Sequence, residues 1–307
     1  MPPFDPVPDV RAAIWACKTR DYNMEGIPMF LALEDLAQGK SAMPVTGDGP
    51  LDDLARHYLD MLGGEPVHAA AAQEVLAAHH FVPAEGEDPG GPLLRAVNFH
   101  NTSRDRRGEY ERQILELGER FAAIDEAGLH ALLSGEGTLL SRPAVLPVLY
   151  EGYRNNYEVA LPLIERAGLR AWFFVVTGFI DAPVEEQYTF ARSHYIGLSR
   201  NDRPGVRCAM TWDELRDVVA RGHVVACHTT THCAASSIST PDDARRELFH
   251  SRERLEEELG TEVQTLAWLL GAPYGEHHRA DAGVRAAGYR LVFSNAKIQR
   301  IFEPSGP

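Results

Sequence analysis

Two histidines four residues apart are the side chains in this sequence best suited to chemistry. His228 and His232 enclose three threonines, and they directly follow the apolar run Val-Val-Ala-Cys. This run predicts a buried strand, and the His-Thr-Thr-Thr-His segment predicts the turn that leaves it. If that turn begins a helix, residues four apart share one face, and both imidazoles can reach one metal ion. The alternative is a pair of polar loop histidines.

Other polar residues also stand at the ends of predicted strands. From about residue 95 onward, predicted strands alternate with predicted helices, a pattern typical of a mostly parallel sheet or a (β/α) barrel. Active sites of such folds lie at the C-terminal ends of the strands. Tyr150-Glu151, the two histidines and the turn at 271–275 each follow a predicted strand, and His100 ends the first one. We therefore expect one polar rim.

Apolar periodicity and turn residues predict where the other elements lie. Besides the strand before His228, predicted strands cover 94–100, 145–150, 171–176, 263–270 and 289–294. Predicted helices cover 109–132, 156–166, 211–221 and 241–259. Thr211 is the predicted N-cap of the third helix, with Glu214 in the capping-box position.

Residues 1–94 predict a separate, mostly helical extension or cap. Amphipathic and alanine-rich patterns predict helices at 27–39, 51–62 and 69–81. The segment 82–94 is rich in proline, glycine and acidic residues, so it is the predicted linker. Residues 95–307 then form the predicted α/β barrel domain.

Composition limits the classes of partner. The 307 residues carry a formal net charge of −14 at pH 7, which disfavours nucleic acid and anionic membranes. No apolar run approaches the roughly 20 residues that span a bilayer, and the first residues do not resemble a secretory signal. Four cysteines without a C-x-x-C pair predict a cytoplasmic protein that does not depend on disulfides.

Three motifs resemble the NodB-homology polysaccharide deacetylases, carbohydrate esterase family four. Residues 148–157 and the strand at 171–175 resemble the family's Thr-Phe-Asp-Asp-Gly-Tyr motif and the Ala-Thr-Phe-Phe-Val strand that follows it. His228 to His232 matches the family's His-(Ser/Thr)-x-x-His motif, and Pro273-Tyr274-Gly275 matches the end of Arg-Pro-Pro-Tyr-Gly. The resemblance covers residues 95–300 and implies a NodB-type distorted (β/α) barrel.

The resemblance also implies a hydrolase of carbohydrate metabolism that uses one divalent metal ion, usually zinc. By motif position, the metal ligands are Glu151, His228 and His232. The family has aspartate where this chain has Glu151, and glutamate also binds divalent ions through oxygen. The family's general acid is a later histidine; because the sequence ends soon after Phe302, we expect the strand that carries it to be missing.

Two further positions of the family's catalytic machinery differ. The aspartate that acts as general base is Tyr150 here, and the arginine that orients it is Gly271. Tyrosine has an ordinary pKa near ~10, so at neutral pH it is a poor base but a usable hydrogen-bond donor. Glu276, His277 and His278, just beyond the Pro-Tyr-Gly turn, are the candidates to replace the base.

Candidate substrate contacts are Tyr153, Gly271 and Tyr274. Packing is the alternative for Tyr150, and an ordinary loop position is the alternative for His277 and His278. Cys227 and Cys233 flank the histidines, but core packing is the favoured interpretation for both, because Cys227 should point away from the His228 face of the strand.

Three functions fit this sequence. The first is metal-dependent cleavage of an amide, such as an N-acetyl group, in an amino sugar or related small molecule. The second is a catalytically inactive binding module on the deacetylase fold, since positions 150, 151 and 271 all differ. The third is another reaction, such as opening of a cyclic amide or a lyase or isomerase step. A barrel without its last strand exposes an edge, so the N-terminal segment or a second copy in a homodimer is expected to cover it.

Overall fold

The computed structural model describes residues 12–15, 94–134, 144–294 and 298–301. The strands are β1 (Ala12–Trp15), β2 (Leu94–Phe99), β3 (Ala122–Ala123), β4 (Ala144–Glu151), β5 (Trp172–Val175), β6 (Val224–Cys227), β7 (Thr265–Ala267), β8 (Leu291–Phe293) and β9 (Ile298–Arg300). The α-helices are α1 (Arg107–Arg120), α2 (Glu126–Ser134), α3 (Leu161–Arg166), α4 (Thr177–Asp181), α5 (Val184–Ser193), α6 (Trp212–Ala220), α7 (Pro241–Ala244), α8 (His250–Leu259) and α9 (His278–Ala286).

The strands form one curled sheet in the order β1-β2-β4-β5-β6-β7-β8-β9, with β3 also paired to β4. All neighbouring pairs are parallel except β8 and β9. Cα atoms of β1 and β9, the two edge strands, approach within 8 Å of each other. Strand–helix alternation therefore produces the parallel-dominated curled sheet that the sequence predicts, and the predicted fold class is confirmed.

Both faces of the sheet are buried, so the central strands are apolar throughout. All eight residues of β4 are buried, as expected for a parallel strand covered on both faces. Alternation along β4 sends Leu146, Val148 and Tyr150 into the cluster inside the curl, and Val145 and Leu149 into the cluster under the helices. Because all strands except β9 run parallel, their last residues lie at one rim.

The helix predicted over 109–132 is wrong in one respect: it is two helices. Helix α1 ends at Arg120, and Phe121 is extended before the short strand β3. The side chain of Asp125 then accepts a hydrogen bond from the backbone N–H of Gly128 at 2.8 Å, which starts α2. Apolar periodicity alone did not show this break, because both helices bury apolar residues, Ile114 and Leu117 of α1 in one cluster and Leu129 of α2 in the other.

Other predicted elements are confirmed with shifted bounds. The strands predicted over 263–270 and 289–294 are shortened to β7 and β8, and α4, α5 and α9 were not predicted. The Thr211–Glu214 capping box is present at α6. Helices predicted over 156–166 and 241–259 are present, and each contains a π-helical turn, Asn156–Ala160 and Arg245–Phe249.

The N-terminal extension is described only at β1, which pairs in parallel with β2 from Ala12–Leu94 to Trp15–Val97. The predicted helices at 27–39, 51–62 and 69–81 lie outside the described residues, as does the predicted linker 82–94 except for Leu94, which begins β2. The domain boundary therefore stays a prediction. The edge of β2 is covered by the N-terminal segment, which is one of the two arrangements that the sequence predicts. Among the described residues, every helix is too short or too polar to cross a bilayer.

Candidate metal centre

Glu151, His228 and His232 converge at the C-terminal rim of the sheet. One ligand atom from each of these three side chains lies within 4.8 Å of the other two, and all three residues are buried. Glu151 ends β4, and His228 directly follows β6, the next strand but one. The structure therefore brings together the three residues that the resemblance predicts as metal ligands.

Glu151 reaches the centre because the chain turns sharply at the end of β4. Its backbone is in the left-handed region, with φ of 66°, and Gly152 follows with φ of 89°. The backbone N–H of Gly152 donates to the carbonyl oxygen of Tyr150 at 2.9 Å. A Cβ atom at Gly152 would meet Ile180 at 3.0 Å, so glycine suits both the dihedral angles and the space at this turn.

The histidine segment leaves the strand as a loop and does not start a helix, so the shared helical face that was one possibility for the two imidazoles does not form. Thr229 and His232 both have left-handed backbones, with φ of 65° and 55°. Backbone N–H groups of Thr177 and Gly178 in α4 donate to the carbonyls of Thr229 and Thr230, at 3.2 and 2.9 Å. The two left-handed residues, rather than a helical repeat, bring the imidazole centroids to 4.7 Å.

Backbone carbonyls select the tautomer of both ligand histidines. His228 Nδ1 lies 2.8 Å from the oxygen of Ala267, and His232 Nδ1 lies 2.7 Å from the oxygen of His194. Because a carbonyl oxygen only accepts, each Nδ1 carries the proton and donates it. The lone pair is then on Nε2, and metal-binding histidines are held in this way by an acceptor on the other nitrogen.

The spacing of the donors suits a small divalent ion. His232 Nε2 lies 3.5 Å from Glu151 Oε1. Two ligands that each bind a tetrahedral zinc ion at about 2.0–2.1 Å are roughly 3.4 Å apart. Two imidazoles and one carboxylate also match the three-protein-ligand sets of catalytic zinc sites, which keep a fourth position for water or substrate. Residues and geometry therefore fit such an ion.

Tyr150 lies directly against this centre. Its ring centroid is 5.0 Å from that of His228, 5.4 Å from that of His100 and 5.3 Å from that of Phe174. Burial, and to a smaller extent the charge of Glu151, raises the pKa of Tyr150 far above its ordinary value. The hydroxyl therefore stays protonated at neutral pH, and the role of Tyr150 as a hydrogen-bond donor stays a prediction.

His100 is the site residue to which sequence reasoning assigned no role. Its Nε2 lies 3.7 Å from Glu151 Oε1, and its side chain is 16% exposed. The resemblance places the family's general-acid histidine on a late strand, whereas here an imidazole at the centre comes from the end of β2. Its position at a strand end was the signal that pointed to the rim.

The candidates beyond the Pro-Tyr-Gly turn lie around the start of α9. His277 is partly buried, and its backbone N–H donates to Asp281 at 3.1 Å. Glu276 and His278 are exposed. The three-ligand cluster does not include them, and their assignment as replacements for the base stays a prediction.

The three candidate substrate contacts have different surroundings. Tyr153 is 1% exposed and packs edge-on against Phe179, which favours a packing role. Tyr274 is partly buried; its hydroxyl accepts from Arg285 at 2.5 Å, and Gln299 of β9 binds both its backbone N–H and its carbonyl. Gly271 has φ of 62° in the turn that follows β7.

Neither flanking cysteine offers a thiolate to the centre. Cys227 is buried among apolar residues, with its Sγ 3.0 Å from Ser251 Oγ, and Cys233 packs at the edge of the same cluster. Burial raises the pKa of both thiols. This agrees with the packing role expected for them.

Two exposed apolar side chains follow the carbonyls that hold the histidines. Tyr195 comes directly after His194 and is 83% exposed, and Leu270 comes three residues after Ala267 and is 64% exposed. Both have left-handed backbones, with φ of 57° and 66°. Large side chains seldom adopt this conformation. Tyr195 and Leu270 both lie close along the chain to a carbonyl that binds a candidate ligand histidine.

Residues 147–292 match the family described as polysaccharide deacetylase. This match agrees with the resemblance drawn from the motifs, which is confirmed. No curated protein matches the sequence significantly.

Three solved structures are similar in fold. IcaB from Ammonifex degensii is 21% identical, with 68% of this chain and 87% of that chain covered and a TM-score of 0.52. The deacetylase PplD from Streptococcus pyogenes, in complex with acetate, is 15% identical, with 68% and 86% covered and a TM-score of 0.51. A de-N-acetylase from Aggregatibacter actinomycetemcomitans is 16% identical, with 69% and 92% covered and a TM-score of 0.51. At these identities the similarity shows the fold, a NodB-type barrel.

Proposed function

We propose that this protein is a metal-dependent deacetylase that hydrolyses the amide of an N-acylated amino sugar. The observation that carries the proposal is the buried cluster of Glu151, His228 and His232, in which both histidines donate Nδ1–H to backbone carbonyls. The family match of residues 147–292 supports the reaction class. Similarity of fold to a de-N-acetylase supports the choice of an amide over an ester.

The three buried side chains would hold a zinc-type divalent ion. When bound, such an ion supplies Lewis-acid polarisation and lowers the pKa of water. The protein contributes a fixed ligand geometry, because each imidazole is already oriented by its carbonyl partner. Burial of all three ligands excludes competing solvent from the side of the core.

His100 and Tyr150 are the proposed proton-handling and hydrogen-bonding groups. His100 Nε2 lies near Glu151 and its side chain is in part open to solvent, so this imidazole can hold a proton at the centre and exchange it with water. Tyr150 keeps its hydroxyl proton at neutral pH. A buried donor of this kind stabilises negative charge that develops on a carbonyl oxygen.

The rim gives a reason to favour a carbohydrate. Tyr195 and Leu270 expose apolar surface beside the two carbonyl-bearing segments of the centre. Sugar rings have apolar faces, and an exposed aromatic ring offers a rigid, flat contact for such a face. We assign these two residues as contacts for the sugar that carries the acyl group.

The test combines metal content with release of acetate. Wild-type protein loaded with zinc or cobalt should release acetate from N-acetylglucosamine or its short oligomers, and His232→Ala should lose both the metal and the turnover. His250→Ala, which changes an exposed histidine of α8, is the matched control and should retain both. Turnover that persists in His232→Ala would contradict the proposal.

A binding module without catalysis is the second candidate, and one observation favours it. The position of the family's general base is a tyrosine whose ring packs between His100 and Phe174. If the packing is its whole role, the protein should bind the metal and an N-acetylated oligosaccharide without releasing acetate. Equilibrium binding measured beside the acetate assay separates the two candidates.

A further inference from the structure

Two of the three ligands at the candidate centre have an unfavourable backbone. Glu151 and His232 both have positive φ, at 66° and 55°, a region that L-residues other than glycine disfavour. Such conformations persist where the surrounding structure holds them, and they concentrate at functional sites. The groups that hold these two residues are therefore of functional interest.

Asn156 holds the peptide unit between Tyr150 and Glu151. Its side chain is fully buried, and its Nδ2 donates to the carbonyl oxygen of Tyr150 at 3.2 Å. Its Oδ1 lies 3.0 Å from the hydroxyl of Thr102, which lies at the same distance from the carbonyl oxygen of Asn155. The carbonyl that Asn156 binds belongs to the residue directly before the left-handed Glu151.

Glu247 holds the histidine loop in a corresponding way. It is 2% exposed, and its two carboxylate oxygens accept from the backbone N–H and the hydroxyl of Thr231, both at 2.9 Å. The neighbouring Thr230 hydroxyl donates to the carbonyl of Arg246 at 2.6 Å. Thr231 is the residue directly before the left-handed His232.

Both side chains come from π-helical turns. Asn156 begins the turn Asn156–Ala160, and Glu247 lies in the middle of the turn Arg245–Phe249. One extra residue in a helix rotates the following side chains by about 100° relative to the preceding ones. Turns of this kind are rare and occur frequently at functional sites. Here each π-helical turn supplies a buried polar side chain that binds the residue directly before a candidate ligand.

We propose that Asn156 and Glu247 are positioning residues of the metal centre, each holding the backbone of one ligand in its left-handed conformation. The proposal rests on the proposed function, because the ligands serve the same metal site. Neither residue is assigned contact with the ion or the substrate. Each binds the residue directly before a ligand: Asn156 binds the carbonyl of Tyr150, and Glu247 binds the N–H and the hydroxyl of Thr231.

The test measures metal affinity in Asn156→Ala and Glu247→Gln. Competition against a chromogenic chelator gives the dissociation constant for zinc, and the visible spectrum of the cobalt form reports the ligand geometry. Loss of a partner that orients a ligand weakens metal binding by about 10- to 100-fold, and we expect that range for both variants, with an altered cobalt spectrum. Thermal unfolding of the metal-free proteins monitors the fold.

Three further variants separate positioning from charge and from folding. Thr231→Val and Thr102→Val each remove one hydroxyl and keep both Glu247 and Asn156. Each should lower the zinc affinity, but by less than Asn156→Ala or Glu247→Gln does. They also serve if Asn156→Ala or Glu247→Gln fails to fold. Glu126→Gln is the matched control: Glu126 accepts from Thr265 at 3.0 Å, at the start of β7, away from the rim. It should bind zinc like the wild type.

Amide hydrogen exchange makes the outcome independent of the proposed function. In the metal-free proteins, faster exchange over 150–153 in Asn156→Ala and over 229–232 in Glu247→Gln is expected, with unchanged exchange in Glu126→Gln. If the wild type binds no metal, the proposed function fails, and these exchange rates alone decide whether the two residues hold the ligand backbones. Wild-type-like metal affinity and exchange in the folded variants would overturn the inference.

Discussion

Two buried histidines lie at opposite ends of the same strand, and their ring nitrogens have different hydrogen-bond partners. His223 comes directly before β6 and His228 directly after it, and both are at most 6% exposed. His223 Nδ1 accepts from the backbone N–H of Ala171 at 3.0 Å, and its Nε2 donates to Glu165 at 3.2 Å. His228 Nδ1 instead donates to the carbonyl of Ala267. The two imidazoles are therefore opposite tautomers.

The hydrogen-bond partners of the two histidines depend on the end of the strand at which each one lies. At the N-terminal end of β6, both nitrogens of His223 join a network in which Arg221 also pairs with Glu165 and Asp217. At the C-terminal end, a carbonyl takes only Nδ1–H, and Nε2 of His228 lies among the other candidate ligands. Burial alone does not distinguish a structural histidine from a ligand; the partner of each nitrogen does.

The largest expected effect is the loss of the metal in His228→Ala. Removal of one of three protein ligands leaves an incomplete set, so we expect zinc affinity to fall by more than about 100-fold, well beyond the effect of a supporting residue. Equilibrium dialysis with metal analysis provides the measurement. His223→Ala is the comparison within the same strand, and equal loss of metal in both variants would break the distinction.

His223→Ala should reduce stability instead of metal binding. It leaves the buried N–H of Ala171 without its acceptor and removes a partner of Glu165, which costs about 1–3 kcal/mol in the free energy of unfolding. His223→Asn, whose amide oxygen can replace Nδ1 as acceptor, should lose less. Urea unfolding measures both, and a zinc affinity reduced along with stability would contradict a purely structural role.

The smallest expected effect is a pH dependence that belongs to His223. Burial lowers its pKa below the ordinary value, and Glu165 opposes this only in part. The unfolded chain therefore binds a proton near pH 6.5 that the folded protein accepts only at lower pH. The stabilising contribution of neutral His223 is complete above about pH 6.5 and is lost as the pH falls.

Comparison with His223→Asn isolates this contribution, because asparagine does not titrate. The stability advantage of the wild type over His223→Asn should shrink between pH 7.5 and pH 5 in urea unfolding. An advantage that grows toward low pH would mean that folding raises the pKa of His223, with Glu165 as the dominant influence, and a constant advantage would mean that folding leaves this pKa unchanged.

Much of the fold was predictable because local patterns and topology agree. Apolar strands at 145–150 and 171–176 read directly as buried parallel strands, and Thr211 and Glu214 marked a helix start through their own hydrogen bonds. The break between α1 and α2 was not predictable from periodicity, because both helices bury apolar residues, although in two different clusters.

The candidate centre was predictable in its residues but not in its geometry. Motif positions pointed to Glu151, His228 and His232, and the structure brings them together. A helical face was one possibility for the two histidines. It does not form, because Thr229 and His232 adopt left-handed backbones in a loop that accepts hydrogen bonds from a distant segment. His100 directly follows β2 and Glu151 ends β4, so their contact depends on strand pairing and could not be predicted from spacing along the chain.

The sequence by itself determined the alternation of strands and helices and the polar residues at strand ends, because parallel strands must all end at one rim. Tertiary structure decided which of those residues form a centre. The carbonyls that select the tautomers of His228 and His232 lie 39 and 38 residues away along the chain. Hydrogen bonds between segments so far apart form only in the folded chain, so the protonation pattern of the site is a property of the tertiary structure.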